Sequence, residues 1–323
     1  MLSVVNRQHS WAVVLAGGDG TRLQTLTRLI SGDERPKQFC PVFGGKSLLG
    51  HTLERLGPLF RRDRTACVVT QGHQRFYRDE IEEDDPVRSM VQPMNRGTGV
   101  AVAAALLQIL RLDPEAIVAF FPSDHYYAHN HAFATAVESA LRMATEYPHS
   151  LILMGAEADY PEIEYGWIEP GRVMMESPGT RLQRVKRFWE KPMLRRARIL
   201  LRRGCLWNTF VTIGWARAFL ELLQGIIPQT LRSLEWAGVG AGDLGRAYQQ
   251  VSPVDLSREV LAAQPQRLLV LRDAASGWAD FGTPGRVIST LVRDGIEPPW
   301  LGQLRRRDAD SQWTIPHRMI ARP

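Results

Sequence analysis

The sequence predicts an α/β fold with a doubly wound, mostly parallel sheet. Short apolar runs, rich in β-branched and aromatic residues, alternate with longer segments of helical spacing through the first half of the chain. Such alternation is typical of βαβ units, whose parallel strands are covered by helices on both faces. A glycine-rich turn follows the first apolar run, at the edge where such sheets bind ligands. Together these observations place a ligand site at the carboxyl edge of the sheet.

The elements of the first half follow from local patterns. The runs WAVVL at residues 11–15 and AIVAFF at residues 116–121 are uniformly apolar, which predicts buried strands. Residues 47–60 carry apolar side chains at helical spacing, and Ser47 is placed as an N-cap. The predicted strands are 11–15, 66–70, 89–92, 116–121 and 151–156, and the predicted helices are 47–60, 74–83, 98–111 and 131–146.

The pattern changes from about residue 162. Shorter strands are predicted on both sides of the turn Ser177-Pro178-Gly179, and after Pro228 the spacing is mainly helical. No internal repeat of fixed period occurs. The elements predicted in this half are strands 164–169, 184–190, 210–213 and 268–271 and helices 194–203 and 216–223.

Composition excludes several classes of protein. Of the 323 residues, 44% are hydrophobic and 23% are charged, which suits a folded chain with a core. The longest apolar stretch, residues 100–107, is far shorter than the ~18 residues of a membrane span, so no membrane association is expected. The net charge is only +6, and no basic stripe interleaved with aromatic residues occurs, so nucleic-acid binding is not expected. Three widely spaced cysteines build no disulfide framework, which suits a reducing, cytoplasmic location.

The basic residues are strongly biased toward arginine. Only four of the 40 are lysines, namely Lys37, Lys46, Lys186 and Lys191. Lysine offers a compact ammonium group, whereas arginine offers a planar fork of donors. Each lysine therefore marks either a position that requires a point charge or the outcome of chance.

The segment 15–22 (LAGGDGTR) is the strongest candidate for ligand binding. Gly17, Gly18 and Gly20 let the backbone approach a ligand and point successive amides at an anion. Arg22 adds a permanent positive charge at the far edge. The spacing matches neither the dinucleotide-binding pattern nor the P-loop. The segment indicates phosphate binding, with a flexible turn as the alternative.

Two further segments carry charge that suits a nucleotide. Lys37 follows a proline downstream of the glycine turn and fits either a phosphate-neutralising role or that of a surface lysine. Asp124 comes directly after the apolar strand 116–121, where carboxylates could hold Mg²⁺ together with substrate phosphates. A turn-forming aspartate is the alternative. His125, which follows, lacks the cysteine partners of a zinc site.

Later segments combine charge with hydrogen-bonding groups. Glu190 and Lys191 stand at the end of a predicted strand, and Asn208 lies further along the chain. These residues suit a phosphosugar, with Lys191 on the phosphate and the other two on hydroxyl groups. Asp280 lies between glycines and aromatic residues and by itself predicts only a loop.

In this order, the segments resemble the motifs of the sugar-nucleotidyltransferase family and, within it, those of the single-domain mannose-1-phosphate guanylyltransferases. The resemblance extends over residues 11–282. The matching segments are AGGDGTRL (16–23), RPKQF (35–39), NRGT (95–98), FPSDH (121–125), EYGWIE (164–169), FWEKP (188–192), LWN (206–208) and GWADFG (277–282). Each motif is short, and their common order carries the assignment.

The resemblance implies a role for each matching residue. The implied catalytic residues are Arg22 and Lys37, which would contact the NTP phosphates, and Asp124 and Asp280, which would bind Mg²⁺. The implied nucleotide-binding residues are Leu15, Ala16, Gly17, Gly18, Gly20, Thr21, Arg96 and Thr98. The implied sugar-phosphate-binding residues are Gly166, Glu190, Lys191 and Asn208.

The resemblance also implies a fold and a reaction. The fold would be the Rossmann-like nucleotidyltransferase fold over residues 1–228, followed by a mainly helical region over 229–323 whose 268–282 segment returns to the active site. A sugar-1-phosphate oxygen would attack the α-phosphorus of an NTP, giving an NDP-sugar and pyrophosphate. GTP and mannose-1-phosphate are the expected substrates. The expected partners are small molecules, and a homodimer is compatible with the sequence.

Two departures from the family pattern leave the base and the sugar open. Gly97 stands where guanylyltransferases usually have asparagine, and Thr209-Phe210 follow Asn208 where the family usually has Ser-Gly. The alternatives are a related pyrophosphorylase that uses UTP or dTTP with glucose-1-phosphate and a catalytically silent binding protein of the same fold.

Three geometric expectations accompany these roles. Arg22 and Lys37 should be exposed cations at the ligand edge, which contribute little to folding. Lys191 should lie in a tight pocket that accepts an ammonium better than a guanidinium. The carboxylates of Asp124 and Asp280 should lie about 4–7 Å apart, within reach of one Mg²⁺ ion.

Overall fold

Nine strands join in one mixed sheet in the computed structural model, which describes residues 8–78, 80–81, 86–237 and 243–302. Two further strands, β5 and β11, pair separately. The strands are β1 Ser10–Leu15, β2 Thr65–Thr70, β3 Arg88–Gln92, β4 Ile117–Pro122, β5 Tyr126–Tyr127, β6 Leu151–Glu157, β7 Gly166–Ser177, β8 Thr180–Glu190, β9 Leu206–Trp215, β10 Leu268–Asp273 and β11 Trp278–Ala279. The order in the large sheet is β3-β2-β1-β4-β9-β6-β10-β8-β7.

Seven strands of this sheet point in one direction. Strands β1 to β4 form parallel pairs, as do β6 and β10. Strand β9 runs antiparallel between β4 and β6, and β8 runs antiparallel between β10 and β7. The predicted α/β class with a doubly wound, largely parallel sheet is therefore confirmed.

Helices cover both faces of the sheet. They are α1 Gln24–Ser31, α2 Leu48–Leu56, α3 Gln74–Tyr77, α4 Gly97–Leu112, α5 Asn130–Glu146, α6 Leu194–Arg202, α7 Ala216–Gln224, α8 Pro228–Trp236, α9 Leu244–Gln250 and α10 Pro284–Arg293. Ser47 caps α2 as predicted, because its side chain accepts a hydrogen bond from the amide of Gly50 at 3.0 Å. None of the helices within these ranges is long and apolar enough to cross a membrane.

Two apolar layers explain why the strands read as continuous hydrophobic runs. Trp11 and Val13 of β1 pack with α4 and α7 on one face, whereas Ala12 and Val14 pack with α2 and α5 on the other. Because successive side chains of a strand point to opposite faces, a strand buried on both faces needs apolar residues throughout. All four side chains are fully buried.

Several boundaries differ from the sequence-based prediction. The helix predicted over 74–83 ends at Tyr77, and residues 79 and 82–85 lie outside the described ranges. The strand predicted over 164–169 begins two residues before the longer β7, and the strand predicted over 210–213 lies within the longer β9. Both strands pair across several neighbours, and such long-range pairing has no local sequence signal.

The C-terminal part of the chain contributes to the main sheet. Strand β10 lies between β6 and β8, and the segment after it brings β11 to β5 beside the end of β4. The division into regions 1–228 and 229–323 stays a prediction, and residues 303–323 lie outside the described ranges.

Candidate active site

Side chains from the end of β2 and from the short helical turn Lys37–Phe39 hold the glycine turn that follows β1. The hydroxyl of Thr70 donates to the carbonyl of Gly17 at 3.0 Å. The side-chain nitrogen Nε2 of Gln38 donates to the backbone carbonyls of Ala16 and Gly18 at 2.9 and 2.7 Å. A Cβ added at Gly18 would meet no atom within 4 Å, so this side of the turn is open. The turn therefore has a fixed shape and one free face.

Gly20 couples the glycine turn to Lys37. Its φ of +60° lies in the left-handed region, and a Cβ added there would come within 2.8 Å of the backbone nitrogen of Lys37 and 3.2 Å of Pro36 Cα. Only glycine avoids both the conformational strain and this contact. The position of Lys37 thus depends on the absence of a side chain at Gly20.

Replacing Gly20 with alanine should lower the free energy of unfolding by about 2–4 kcal/mol, from left-handed strain plus steric overlap with Lys37. Gly32→Ala is the matched control, because Gly32 also has positive φ (+78°) but an added Cβ would meet nothing within 4 Å. The control should cost only the strain, about 1–2 kcal/mol. Equal losses in urea unfolding would show that the contact with Lys37 has no energetic weight.

Lys37 lies at the centre of the candidate site. Its ammonium is 3.1 Å from Oδ2 of Asp124 and donates to the backbone carbonyls of Asp280 and Phe281 at 2.9 and 3.2 Å. The side chain is only 12% exposed, so the expectation of an exposed cation is wrong for Lys37. The reason is that the 280–281 segment folds back over it. Arg22 is exposed as expected and pairs with Glu164.

The carboxylate of Asp280 belongs to a buried polar network. Its Oδ1 accepts hydrogen bonds from the hydroxyl of Tyr165 at 2.7 Å, the amide of Gly282 at 2.9 Å and the guanidinium of Arg286 at 2.7 Å. Arg286 also pairs with Glu162 at 2.9 Å. Burial alone would raise the pKa of Asp280, but the charges of Arg286 and Lys37 outweigh it and the pKa is lowered. Asp280 is thus held ionised and in a fixed orientation.

His125 is a neutral neighbour of Asp124. Its Nδ1 accepts a hydrogen bond from the indole nitrogen of Trp278 at 3.0 Å. Since an indole N–H can only donate, the proton of the neutral imidazole is assigned to Nε2, which lies 3.9 Å from Oδ1 of Asp124. Burial lowers the pKa of His125 to about 4. His125 therefore adds a hydrogen-bond donor to the site and no charge.

The glycine turn opens onto a cavity of about 490 Å³. Asp124 lines it, as do five of the predicted nucleotide-binding residues, namely Leu15, Gly17, Gly18, Gly20 and Thr98. A second cavity of about 300 Å³ adjoins it and is lined by Gly20, Thr21, Arg22, Lys37, Asp124 and Asp280, among others. Ala16 is fully buried behind the turn. The two cavities bring the predicted phosphate-contacting and carboxylate residues together.

Arg96 does not reach the cavity that the resemblance implies for it. Its guanidinium donates instead to the carbonyls of Tyr248 and Gln249 at 2.7 and 3.3 Å. The backbone of the same segment pairs with Val254, whose amide donates to the carbonyl of Arg96 at 3.0 Å. Gly97, at a φ of +82°, lies too close to Val254 for any Cβ, which accounts for glycine at this position.

The predicted sugar-phosphate residues form a cluster on β7, β8 and β9. A Cβ added at Gly166 would lie 3.0 Å from Oε2 of Glu190 and 3.2 Å from Cβ of Asn208, so these three positions adjoin. Lys191 follows Glu190 with a φ of +45°, and its amide donates to the carbonyl of Tyr165 at 3.2 Å. Its side chain is exposed, so the expected tight pocket around Lys191 is not present. The reason is that the chain turns outward at the end of β8.

Burial raises the pKa of Glu190 to about 7, and the charge of Asp255 adds to this effect. The folded protein therefore binds a proton at Glu190 over a pH range in which the unfolded chain, with an ordinary pKa of 4.5, has lost it. Its contribution to stability is present below that ordinary pKa and is lost as the pH rises through about 7.

Glu190→Gln should remove this pH dependence. Relative to wild type, the variant should gain about 1–3 kcal/mol in free energy of unfolding between pH 4.5 and pH 8, since one pKa unit corresponds to about 1.4 kcal/mol. Urea unfolding of both proteins across this range measures the difference. A difference that stays constant with pH would mean that Glu190 titrates normally in the folded protein.

The oxygen donors of the site fit Mg²⁺. Asp124 and Asp280 line the same cavity, and Mg²⁺ prefers one or two carboxylates completed by water and substrate phosphates. Within the described ranges, no group of three or more His, Cys, Asp or Glu side chains forms a denser metal site. The donor set therefore suits a metal that arrives with a phosphate-bearing substrate.

Several residues of the site were not assigned a role from the sequence. Gln38 fixes the glycine turn, Trp278 sets the tautomer of His125, and Tyr165 and Arg286 hold Asp280. Gln38 is next to Lys37 and Trp278 is two residues before Asp280, so proximity in sequence to a candidate could have found both. Arg286 is one of 36 arginines, and only the fold shows its partner.

The site lies at the edge of the sheet where α/β proteins bind their ligands. The glycine turn follows β1 and Asp124 follows β4, and because these strands are parallel both emerge at the same edge of the sheet. A fixed glycine turn, a largely buried lysine and two carboxylates lie at that edge, an arrangement that suits an α/β protein with a phosphate-bearing ligand. A family model described as nucleotidyl transferase matches residues 11–289, and the chain belongs to this family.

Known relatives agree with this membership. The xanthan biosynthesis protein XanB of Xanthomonas campestris pv. campestris is 29% identical over 96% of this chain and 65% of its own length. A mannose-1-phosphate guanylyltransferase of Escherichia coli is 28% identical over 88% of this chain and 60% of its own length. The chain thus spans less than two thirds of these relatives.

A solved structure supports the fold. The crystal structure described as mannose-1-phosphate geranyltransferase from Thermus thermophilus has 28% sequence identity and a TM-score of 0.76. The match covers 90% of this chain and 80% of that chain. The nucleotidyltransferase fold implied by the motifs is therefore confirmed.

Proposed function

We propose that this protein transfers a guanylyl group from GTP to mannose-1-phosphate, giving GDP-mannose and pyrophosphate. The observation that carries the proposal is the position of Lys37. Its backbone lies against Gly20 of the glycine turn, and its ammonium contacts Asp124 and the 280–281 backbone. This arrangement places a fixed positive charge beside the Asp124 carboxylate and the Asp280 backbone, at the edge of the cavity of about 300 Å³ that both aspartates line. Relatives named as mannose-1-phosphate guanylyltransferases supply the choice of base and sugar.

The proposed reaction needs no nucleophile from the protein. The sugar-1-phosphate is already an anion, so its oxygen attacks the α-phosphorus directly and pyrophosphate leaves. The amides of the glycine turn and the charges of Lys37 and Arg22 stabilise the phosphates of the NTP. The cluster of Gly166, Glu190 and Asn208 orients the sugar, with Lys191 at its exposed edge. Catalysis then depends on alignment and on charge neutralisation.

A divalent metal completes the proposed site. Asp124 and Asp280 would hold Mg²⁺, whose charge would neutralise the phosphate oxygens when it is bound. Tyr165 and Arg286 keep the Asp280 carboxylate in place for this role. His125, whose Nε2 lies 3.9 Å from Oδ1 of Asp124, adds a neutral polar group beside that carboxylate.

We also propose that the protein works in a reducing, cytoplasmic environment. The support is that Cys40, Cys67 and Cys205 are free and buried. Burial raises the pKa of both Cys40 and Cys205 to about 11, which keeps these thiols protonated and unreactive. Retention of three free thiols after purification without reductant, measured by thiol titration, tests their inertness.

Pyrophosphate release tests the proposed function. ATP, GTP, CTP, UTP and dTTP are each combined with mannose-1-phosphate and with glucose-1-phosphate in the presence of Mg²⁺. We expect GTP with mannose-1-phosphate to give the highest kcat/KM. A preference for UTP or dTTP with glucose-1-phosphate would replace the proposed substrates, and release from no pair would contradict the proposed activity.

A further inference from the structure

Strand β9 contains a bulge directly after Asn208. Asn208 pairs with Gly155 of β6, but the next pair joins Thr212 to Leu153, so residues 209–211 lie opposite Met154 alone. The hydroxyl of Thr209 donates to the carbonyl of Met154 at 2.8 Å. Bulges interrupt a ladder and redirect a side chain, often beside an active site. The bulge therefore gives residue 210 an orientation that regular pairing would not allow.

Phe210 occupies this bulge in a rare backbone conformation. Its φ is +68°, in the left-handed region that large side chains seldom adopt, and its amide donates to Oδ1 of Asn208 at 3.2 Å. In the described part of the chain, the other non-glycine residues with positive φ are Lys191 and Phe281, both at the candidate site. Strained residues of this kind persist where the surroundings fix them, and they cluster at functional sites.

Phe210 is one of the residues that line the 490 Å³ cavity. The glycine turn and Asp255 line the same cavity, whereas Gly166, Glu190 and Asn208 are not among its lining residues. Phe210 follows Asn208 by two residues. Phe210 therefore lines the proposed nucleotide cavity at a point two residues from the proposed sugar cluster.

We propose that Phe210 is a specificity-determining residue, which limits the site to hexose 1-phosphates without bulky ring substituents. The inference rests on the proposed function. A hexose presents a face of C–H groups that packs against an aromatic ring, while its hydroxyl groups reach Glu190 and Asn208. A substituent such as an acetamido group requires the volume that the ring fills. Exclusion by a wall is a repulsive element, which discriminates between substrates that share every attractive contact.

The test compares wild type with Phe210→Gly on mannose-1-phosphate and N-acetylglucosamine-1-phosphate. Glycine accepts a φ of +68° without strain, so this variant retains the backbone. Phe210→Asn is a second variant, because asparagine also tolerates this region. We expect the kcat/KM ratio between the two sugar phosphates to shift by at least about tenfold toward the bulkier one, a typical effect of pocket contacts. The KM for the NTP should change much less.

Leu220→Ala is the matched control. Leu220 and Phe210 are both half-buried and pack against the same hydrophobic core, but Leu220 lies on α7 and does not line the cavity. This variant should lose stability without a change in the kcat/KM ratio between the two sugar phosphates. A similar shift in the control would show that general loosening of the fold, and not the ring, sets the selectivity.

The outcomes separate this inference from the proposed function. Turnover by wild type with an unchanged sugar ratio in both Phe210 variants overturns the role of Phe210 and leaves the function standing. A change confined to the KM for the NTP overturns it as well. Absence of turnover in wild type overturns the proposed function. In that case the affinities of both sugar phosphates for wild type and for Phe210→Gly, measured by calorimetry, test the role of Phe210. Unchanged relative affinities overturn that role.

Discussion

Lys37→Ala should lower kcat by about 10²–10³, the effect of removing one fixed charge that stabilises the transition state. Lys37 contacts Asp124 and two backbone carbonyls, so its ammonium is held in position before any substrate binds. The same contacts mean that the variant should also lose about 1.5–3 kcal/mol of stability, because charge-assisted hydrogen bonds are removed. Steady-state kinetics and urea unfolding of one preparation measure both effects.

Lys46→Ala is the control for Lys37→Ala. Lys46 is 60% exposed, pairs with Glu54 and lies outside the candidate site. Its loss should change neither kcat nor stability appreciably, since exposed ion pairs contribute about 0–1 kcal/mol. Unchanged turnover in Lys37→Ala would remove Lys37 from the catalytic machinery. Lost turnover in a variant that is largely unfolded would assign it a purely structural role.

Asp280→Ala should lower the free energy of unfolding by about 3–5 kcal/mol, the cost of removing one partner of a buried ion pair. Arg286 would keep only Glu162, and the hydroxyl of Tyr165 and the amide of Gly282 would lose their acceptor. Turnover should fall below detection, because the proposed metal-binding carboxylate is removed. Thermal and urea unfolding measure the first effect independently of any substrate.

Asp63→Ala provides the comparison. Asp63 pairs with Arg61 at 2.9 Å, but both side chains are about half exposed. Its replacement should cost less than about 1 kcal/mol. If Asp280→Ala costs no more than Asp63→Ala, the network around Asp280 is not a stabilising unit. Combining Asp280→Ala with Arg286→Met should cost less stability than the sum of the two single losses, because both substitutions remove the same Asp280–Arg286 ion pair.

Local patterns were sufficient to predict the elements that form the ligand edge. The apolar run of β1, the glycines after it and the carboxylate after β4 each have a physical reason that is visible within a few residues. The order of the strands was not predictable in this way. Strand β10 lies between β6 and β8, although it begins more than 75 residues after the end of β8. Its own sequence does not indicate with which strands it pairs.

The environment of a candidate residue was harder to predict than its identity. Lys37 stands in a motif, but its burial depends on a segment more than 240 residues away. Arg96 contacts the end of α9, more than 150 residues away in sequence, and these contacts draw its side chain away from the cavity. The conformation of Phe210 depends on the bulge between β9 and β6. In each case a long-range contact decides what the side chain does.

Exchange of radiolabelled pyrophosphate into GTP tests the central claim most directly. A direct attack of the sugar phosphate on the α-phosphorus is reversible. Labelled pyrophosphate can therefore enter GTP only when the NDP-sugar has formed and then reacts back with it. The account predicts exchange when mannose-1-phosphate and Mg²⁺ are present and none when the sugar phosphate is omitted. Exchange without sugar phosphate would reveal a covalent nucleotidyl-enzyme and contradict direct transfer, and absence of exchange under both conditions would contradict nucleotidyl transfer itself.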